Sequence, residues 1–432
     1  MTNKLKTLND KAWEKIFDKY SIIGSIRERG IYEISAKEIG EFREARLMTK
    51  FDHRSNLPTL FKRNHLSILP ITRGSYIIAD FEAYHDFEPP ENKTNTVSIP
   101  SFIHSIDFNS ITSEATAINV AYLSGILADF IEEEMLWPTV NGRMSSGKFD
   151  YIICGKKTSN IRNISVENSQ IEIDGGYEGY NSLTLIEAKN SLSDNFLVRQ
   201  LYYPYRLWQS KLQKSVKPIF LTYSNGVFSL YEYVFKEVKN YNSLVLVKQR
   251  NYSLEQERIK LEDIISIADR VLVANEPKDI PFPQADSFRR IINICELLNK
   301  DISLSREHIT YKYDFDVRQT NYYTSACVYL GLIDKEYDRN AGVRYHLTSR
   351  GKSILGLSIK YRNLRFVESI LEKRVFNKVF RMYLLYSELP STSKIVEIMK
   401  EVQIYGVEAD STYSRRASTV VSWINWILDL TN

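Results

Sequence analysis

Residues 170–190 read QIEIDGGYEGYNSLTLIEAKN. Ile171 and Ile173 alternate with polar neighbours, and Leu183 and Leu185 repeat the spacing, so 169–174 and 182–188 are expected to be strands with one side turned to a core. The glycine-rich stretch after Asp174 is expected to turn the chain between them. Asp174 then closes one strand and Glu187 sits on the next, with Lys189 two positions on and facing the same side. Carboxylates at adjacent strand ends suit a hard cation such as Mg2+, which keeps several waters and a phosphate oxygen. The Ala188 carbonyl is a further oxygen ligand, and Lys189 brings a compact charge able to orient water or offset negative charge on a phosphate. Asp150, which closes GKFD, and Glu178, past the glycine pair, compete with Asp174 as the first acid. An isolated Glu-x-Lys is equally a surface ion pair on an edge strand, so its surroundings decide.

Upstream, residues 113–136 carry Ala117, Val120, Ala121, Leu127, Ala128 and Ile131 at helical spacing. Glu132, Glu133 and Glu134 crowd its last turns, against the preference of a helix C-terminus for cations. Downstream, NFLVRQLYYPYRLWQSK predicts a helix interrupted or kinked at Pro204. KPIFLTYSNGVFSLYEYVF predicts a hairpin about Asn225-Gly226, and LVLVKQRNYSL another strand. Together these describe a mixed sheet with helices on its faces.

Asp174 closing one strand, Glu187-Ala188-Lys189 closing the next and a helix with Gln200 and Tyr203 following resemble the PD-(D/E)xK nuclease superfamily, specifically its type II restriction endonucleases. The resemblance spans about 111–247. It implies an α/β chain with a restriction-endonuclease-like core, Mg2+ as cofactor and hydrolysis of double-stranded DNA. By motif position, Asp174 and Glu187 bind metal, Lys189 completes the site and Gln200 supports it. The family's proline before the first acid is replaced by Ile173. Its frequent glutamate from the helix before the sheet is matched loosely by Glu132, Glu133 or Glu134. Cutting both strands at a palindrome implies a homodimer, since protein symmetry mirrors DNA symmetry.

The flanks add recognition modules. At the N-terminus, helices precede two strands, ILPI and SYIIADF, joined at Arg73-Gly74, an order that resembles a winged-helix module. Asp10 is the expected cap of the first helix, and SAKE a capping box. Arg43, Arg46, Lys50, Arg54, Asn56 and Arg73 supply groups for phosphates or base edges, although such a segment is also what a solvated basic face looks like. The proline-containing tract ending at Pro100 predicts a linker, and NEPKDIPFPQAD a second boundary. The tract GLIDKE through YHLTSRG resembles a winged-helix wing, with its turn at 340–342, and SRRASTVVSWINWILDL predicts a last helix with Arg415 and Arg416 at its start, suited equally to phosphate contact or to packing. The expected organisation is 1–92 recognition module, 93–100 linker, 101–275 nuclease core, 287–370 winged-helix-like module and 371–432 helical module.

Composition limits the alternatives. With 57 Lys and Arg against 53 Asp and Glu, the chain is no polycation, and any nucleic-acid surface must come from local segregation of charge. Three scattered cysteines fit neither a zinc site nor a disulfide framework. No signal peptide or membrane-length apolar run appears, so the expected location is the cytoplasm, without a membrane partner. No GxxxxGK[ST] loop suggests ATP. The remaining rivals are a repair or modification-dependent nuclease with the same core, and a non-catalytic winged-helix regulator.

Overall fold

The computed structural model describes residues 7–431 apart from 92, 157–159, 255, 256, 314, 316 and 339–341. Its centre is a seven-stranded mixed sheet. The strands are β1 (Thr94–Thr96), β2 (Trp137–Ser145), β3 (Gln170–Glu178), β4 (Ser182–Lys189), β5 (Ser215–Ser224), β6 (Val227–Phe235) and β7 (Leu244–Ser253). Their spatial order is β1-β7-β6-β5-β4-β3-β2, with β4 parallel to β5 and antiparallel to β3.

Helix α1 (Glu114–Leu123) packs on one face of this sheet and α2 (Arg199–Gln209) on the other. Along β4, Leu183 and Leu185 join the core on the α2 side, whereas Ile186 and Ala188 join the core on the α1 side. Covering on both faces explains why SLTLIEAK is almost continuously apolar until Glu187.

Several local expectations change. The glycine pair does not turn the chain: β3 runs through Gly175 and Gly176, placing Asp174 mid-strand. A Cβ at Gly176 would lie 2.6 Å from the Val140 carbonyl oxygen, so close approach of β2 is what requires glycine there. The expected long helix is broken after Leu123, because Gly125 takes a left-handed conformation with φ +78° before a short helix at Ile126–Ile131. The expected linker contributes β1 to the sheet edge, paired in parallel with β7. Pro204 is accommodated inside a continuous α2. Asn225 and Gly226, with φ of +56° and +77°, form the expected tight hairpin turn.

The N-terminal region packs its helices on a three-stranded antiparallel sheet formed by Tyr32–Ser35, Ser67–Pro70 and Ser75–Ala79. Its first helix is capped by Thr7, with Asp10 the return partner of the capping box and not the cap itself. Ser35 and Glu38 form the second capping box as expected. This region shares one hydrophobic core with α2 and with the hairpin Lys148–Cys154/Ile161–Glu167.

In the C-terminal region, α3 (Phe288–Lys300), a short strand at Leu304–Ser305, α4 (Arg306–Lys312), a helix at Val317–Tyr329 and the hairpin Ile333–Asp338/Gly342–Leu347 follow in order. The expected turn at Asn340 lies outside the described residues. One apolar core runs from Ile259 to Ile427, so the segments expected to divide at 370/371 pack as one body. Among the described residues, no helix is long and apolar enough to cross a membrane.

Candidate active site

The register pairing Ile186 with Gly175 brings Asp174 to the level of Glu187. Asp174 Oδ2 accepts the Ala188 amide at 2.9 Å, which ties the first acid to the backbone between Glu187 and Lys189. Lys189 Nζ pairs with Glu187 Oε1 and also approaches the Ala188 carbonyl oxygen at 3.2 Å. Gln200, at the start of α2, donates to the same Glu187 oxygen at 2.6 Å. Asp174, Glu187, Lys189 and Gln200 therefore converge, with Ala188 at their centre. The site is sheltered: the Lys189 and Glu187 side chains are only 14% and 9% exposed.

Burial, together with the nearby Asp174 and Asp52 charges, outweighs the Lys189 pairing and pushes the Glu187 carboxyl up to about 8. For Lys189, burial opposes the charge, yet Glu187, Glu114, Asp52 and Asp174 together outweigh it and raise its pKa above the ordinary lysine value.

Two of these carboxylates were missed in the sequence. Glu114 lies in the first turn of α1, and its carboxyl is raised by burial despite the Lys189 charge. The signal was present in Ser113-Glu114, a helix start with a cap and an acid in its first turn. Asp52 lies inside the basic N-terminal segment, between Lys50 and Arg54. Its carboxyl is desolvated, but Lys189, Lys50, His53 and Arg199 outweigh that and lower its pKa.

The other proposed acids lie elsewhere. Glu133 accepts from Ser182 Oγ and the Asn181 amide, at the opposite end of β4 from Lys189. Glu132 is exposed and pairs with Lys248 and Arg250, both at 3.1 Å, and Glu134 is exposed. Glu178 pairs with Lys214 at 2.7 Å at the far end of β3, and Asp150 accepts from Ser165 in the separate two-stranded hairpin.

The donors fit a hard divalent cation in one specific sense. Two carboxylates from neighbouring strands crowd an oxygen-rich spot, while Gln200 Oε1 and both amide atoms of Asn190 are buried with no partner among the described residues. The unmet Gln200 Oε1, on the side chain that donates to Glu187, suits a hydrated cation. Among the described residues no three His, Cys, Asp or Glu side chains form a ready metal cage. Mg2+ commonly needs only one or two carboxylates, with waters and phosphate completing its shell.

Both flanking regions reach the site's edge. His53 Nδ1 and the Asn195 carbonyl lie 2.8 Å apart, the Arg54 amide donates to Asn195 Oδ1 at 2.7 Å, and the Leu197 amide donates to the Asp52 carbonyl at 3.0 Å. From the C-terminal region, fully buried Asn293 accepts the Leu192 amide and donates to the Asn190 carbonyl, both at 3.0 Å. The chain just after Lys189 is thus braced from two sides.

The proposed DNA contacts divide. Arg46, Lys50, Arg73 and Arg415 are exposed. Arg54 pairs with Asp86 at 2.7 Å, Arg43 reaches Glu307 at 3.3 Å, and Asn56 donates to backbone carbonyls of the C-terminal region. Arg416 is 9% exposed, and its helix runs Asp410–Asp429, so neither Arg415 nor Arg416 lies at the free N–H groups of the first turn.

Three protein-family models match separate parts of the chain. Residues 10–78 match a family described as a domain of unknown function (DUF6996), 79–253 match another (DUF6997) and 290–432 a third (DUF7226). No curated protein and no solved structure matches the chain.

Proposed function

We propose that this chain is a Mg2+-dependent DNA endonuclease of the PD-(D/E)xK type, cutting both strands at a specific sequence as type II restriction enzymes do. The observation that carries the proposal is the convergence of Asp174, Glu187 and Lys189 around the Ala188 amide, with Gln200 on Glu187. Mixed strand directions and a helix on each face support the nuclease-like core. The order helix, strand, helix, helix, hairpin in the C-terminal region supports a winged-helix reader.

Asp174, Glu187 and the Ala188 carbonyl would hold Mg2+, which when bound supplies charge neutralisation at the phosphate and a more acidic water. Lys189, kept charged by its carboxylate neighbours, stabilises negative charge developing on the scissile phosphate. Gln200 fixes the Glu187 carboxylate through its donated hydrogen bond. With one such site among the described residues, cutting a duplex on both strands calls for two copies, and a two-fold dimer would match a palindromic target.

The test is incubation of wild-type protein with supercoiled plasmid and with methylated and unmethylated genomic DNA, in Mg2+ or in EDTA. Discrete fragments bearing 5′-phosphates, formed only with the cation, are expected. Specific duplex binding without cleavage in Mg2+ or Mn2+ would replace the nuclease by the regulator.

A further inference from the structure

Part of the basic N-terminal segment is already occupied. Asn56 Nδ2 donates to the carbonyls of Thr310 at 3.1 Å and Tyr313 at 3.0 Å, at the C-terminal end of α4. Arg43 Nη1 is shared between Asn9 Oδ1 at 2.8 Å and Glu307 Oε1 at 3.3 Å. Carbonyl and carboxylate oxygens are thus offered by one helix to donors of the kind that phosphate oxygens engage on a nucleic-acid backbone. Exposed Arg46 and Lys50 continue the basic character of the segment. The covered segment is tied to the chain that follows Lys189, since the Leu197 amide donates to the Asp52 carbonyl and the Arg54 amide to Asn195 Oδ1, and the charges of Asp52 and Lys189 are felt at Tyr311 of the same helix.

We propose that the 43–56 face is a backbone-binding surface for duplex DNA and that α4 occupies it in the DNA-free protein, with Glu307 standing where a phosphate would lie. DNA must displace α4 to use Arg43 and Asn56, and that displacement opens the approach to Glu187 and Lys189. The inference rests on the nuclease reading, since it takes DNA as the ligand. It goes further by stating that substrate binding and opening of the site are one exchange.

Two measurements on the full-length protein test this, both with Ca2+ in place of Mg2+ to hold back cleavage. The first is amide hydrogen exchange of 306–313 with and without a saturating duplex that carries the cleaved sequence. Faster exchange in this segment on DNA binding is expected; unchanged or slower exchange overturns the proposal. The second is duplex affinity by fluorescence anisotropy for Glu307→Gln against Glu388→Gln, which removes the same charge from an exposed loop. E307Q is expected to bind about two- to fivefold tighter than E388Q, the scale of one exposed ion pair; equal affinities overturn the competition. If wild type and both variants fail to bind any duplex, the nuclease reading falls, and this inference with it. If wild type binds and cuts but neither signature appears, only the competition is wrong.

Discussion

Replacing Glu187 by Gln should change how the metal-free protein's stability depends on pH. The Glu187 carboxyl is raised from 4.5 to about 8 by burial and by Asp174 and Asp52, against the pull of Lys189. A group raised in the folded state contributes stability that is complete below its unfolded pKa and lost as pH rises through the folded one. Wild type in EDTA should therefore lose stability relative to E187Q between about pH 4.5 and 8, while the amide stays neutral throughout. At about 1.4 kcal/mol per pKa unit, the full swing is on the order of 3–5 kcal/mol. Glu187 is the largest of the charges that raise Lys189, so the comparison reads the Glu187–Lys189 pair as a unit and not one group alone. Urea unfolding followed by tryptophan fluorescence at intervals from pH 5 to 9 measures the gap. A difference that is flat across this range would refute the electrostatic account of the site. Saturating Mg2+ at pH 8 to 9 should restore much of the wild-type loss, because cation binding favours the ionised carboxylate.

Other outcomes distinguish the site from its neighbours. Glu114→Gln should lower cleavage about tenfold or more, whereas Glu133→Gln, at the other end of β4, should leave the rate within about twofold. Asn293→Ala should destabilise the protein by about 1–3 kcal/mol, since it strands the Leu192 amide and the Asn190 carbonyl, and hydrogen exchange at Leu192 should rise with it. Gly176→Ala places a Cβ against the Val140 carbonyl at 2.6 Å, so β2 must shift; a loss of roughly 1–3 kcal/mol in urea melts is expected, and an unchanged midpoint would show that the edge strand yields freely.

What the sequence revealed followed from short-range periodicity. Leu183, Leu185, Glu187 and Lys189 share one side of a strand by spacing alone, and Asn225-Gly226 announces its hairpin by backbone preference. Asp174 was legible as an acid near the motif but not as a mid-strand residue, because Gly175-Gly176 reads as a turn wherever the close approach of a third strand is unknown. Glu114 and Asp52 stayed hidden for a different reason. Their charges act on Lys189 from a helix start and from another region of the chain, and periodicity carries no signal for such long-range convergence. The same limit made the Glu132–Glu134 cluster attractive, since closeness in sequence to the sheet does not say which end of a strand is met, and Glu133 meets the Ser182 end and not the Lys189 end. Arg416 likewise looked like a phosphate contact until its helix was seen to begin a turn and more earlier, with the side chain buried.

Single-turnover cleavage of a cognate duplex by Lys189→Ala, with folding confirmed by its melting profile, tests the central claim most directly. With saturating Mg2+, loss of one cation aimed at the scissile phosphate should slow the chemical step by about 10²- to 10³-fold while duplex affinity measured in Ca2+ stays within a few-fold. A K189A protein that folds and cuts within about twofold of wild type would contradict the account.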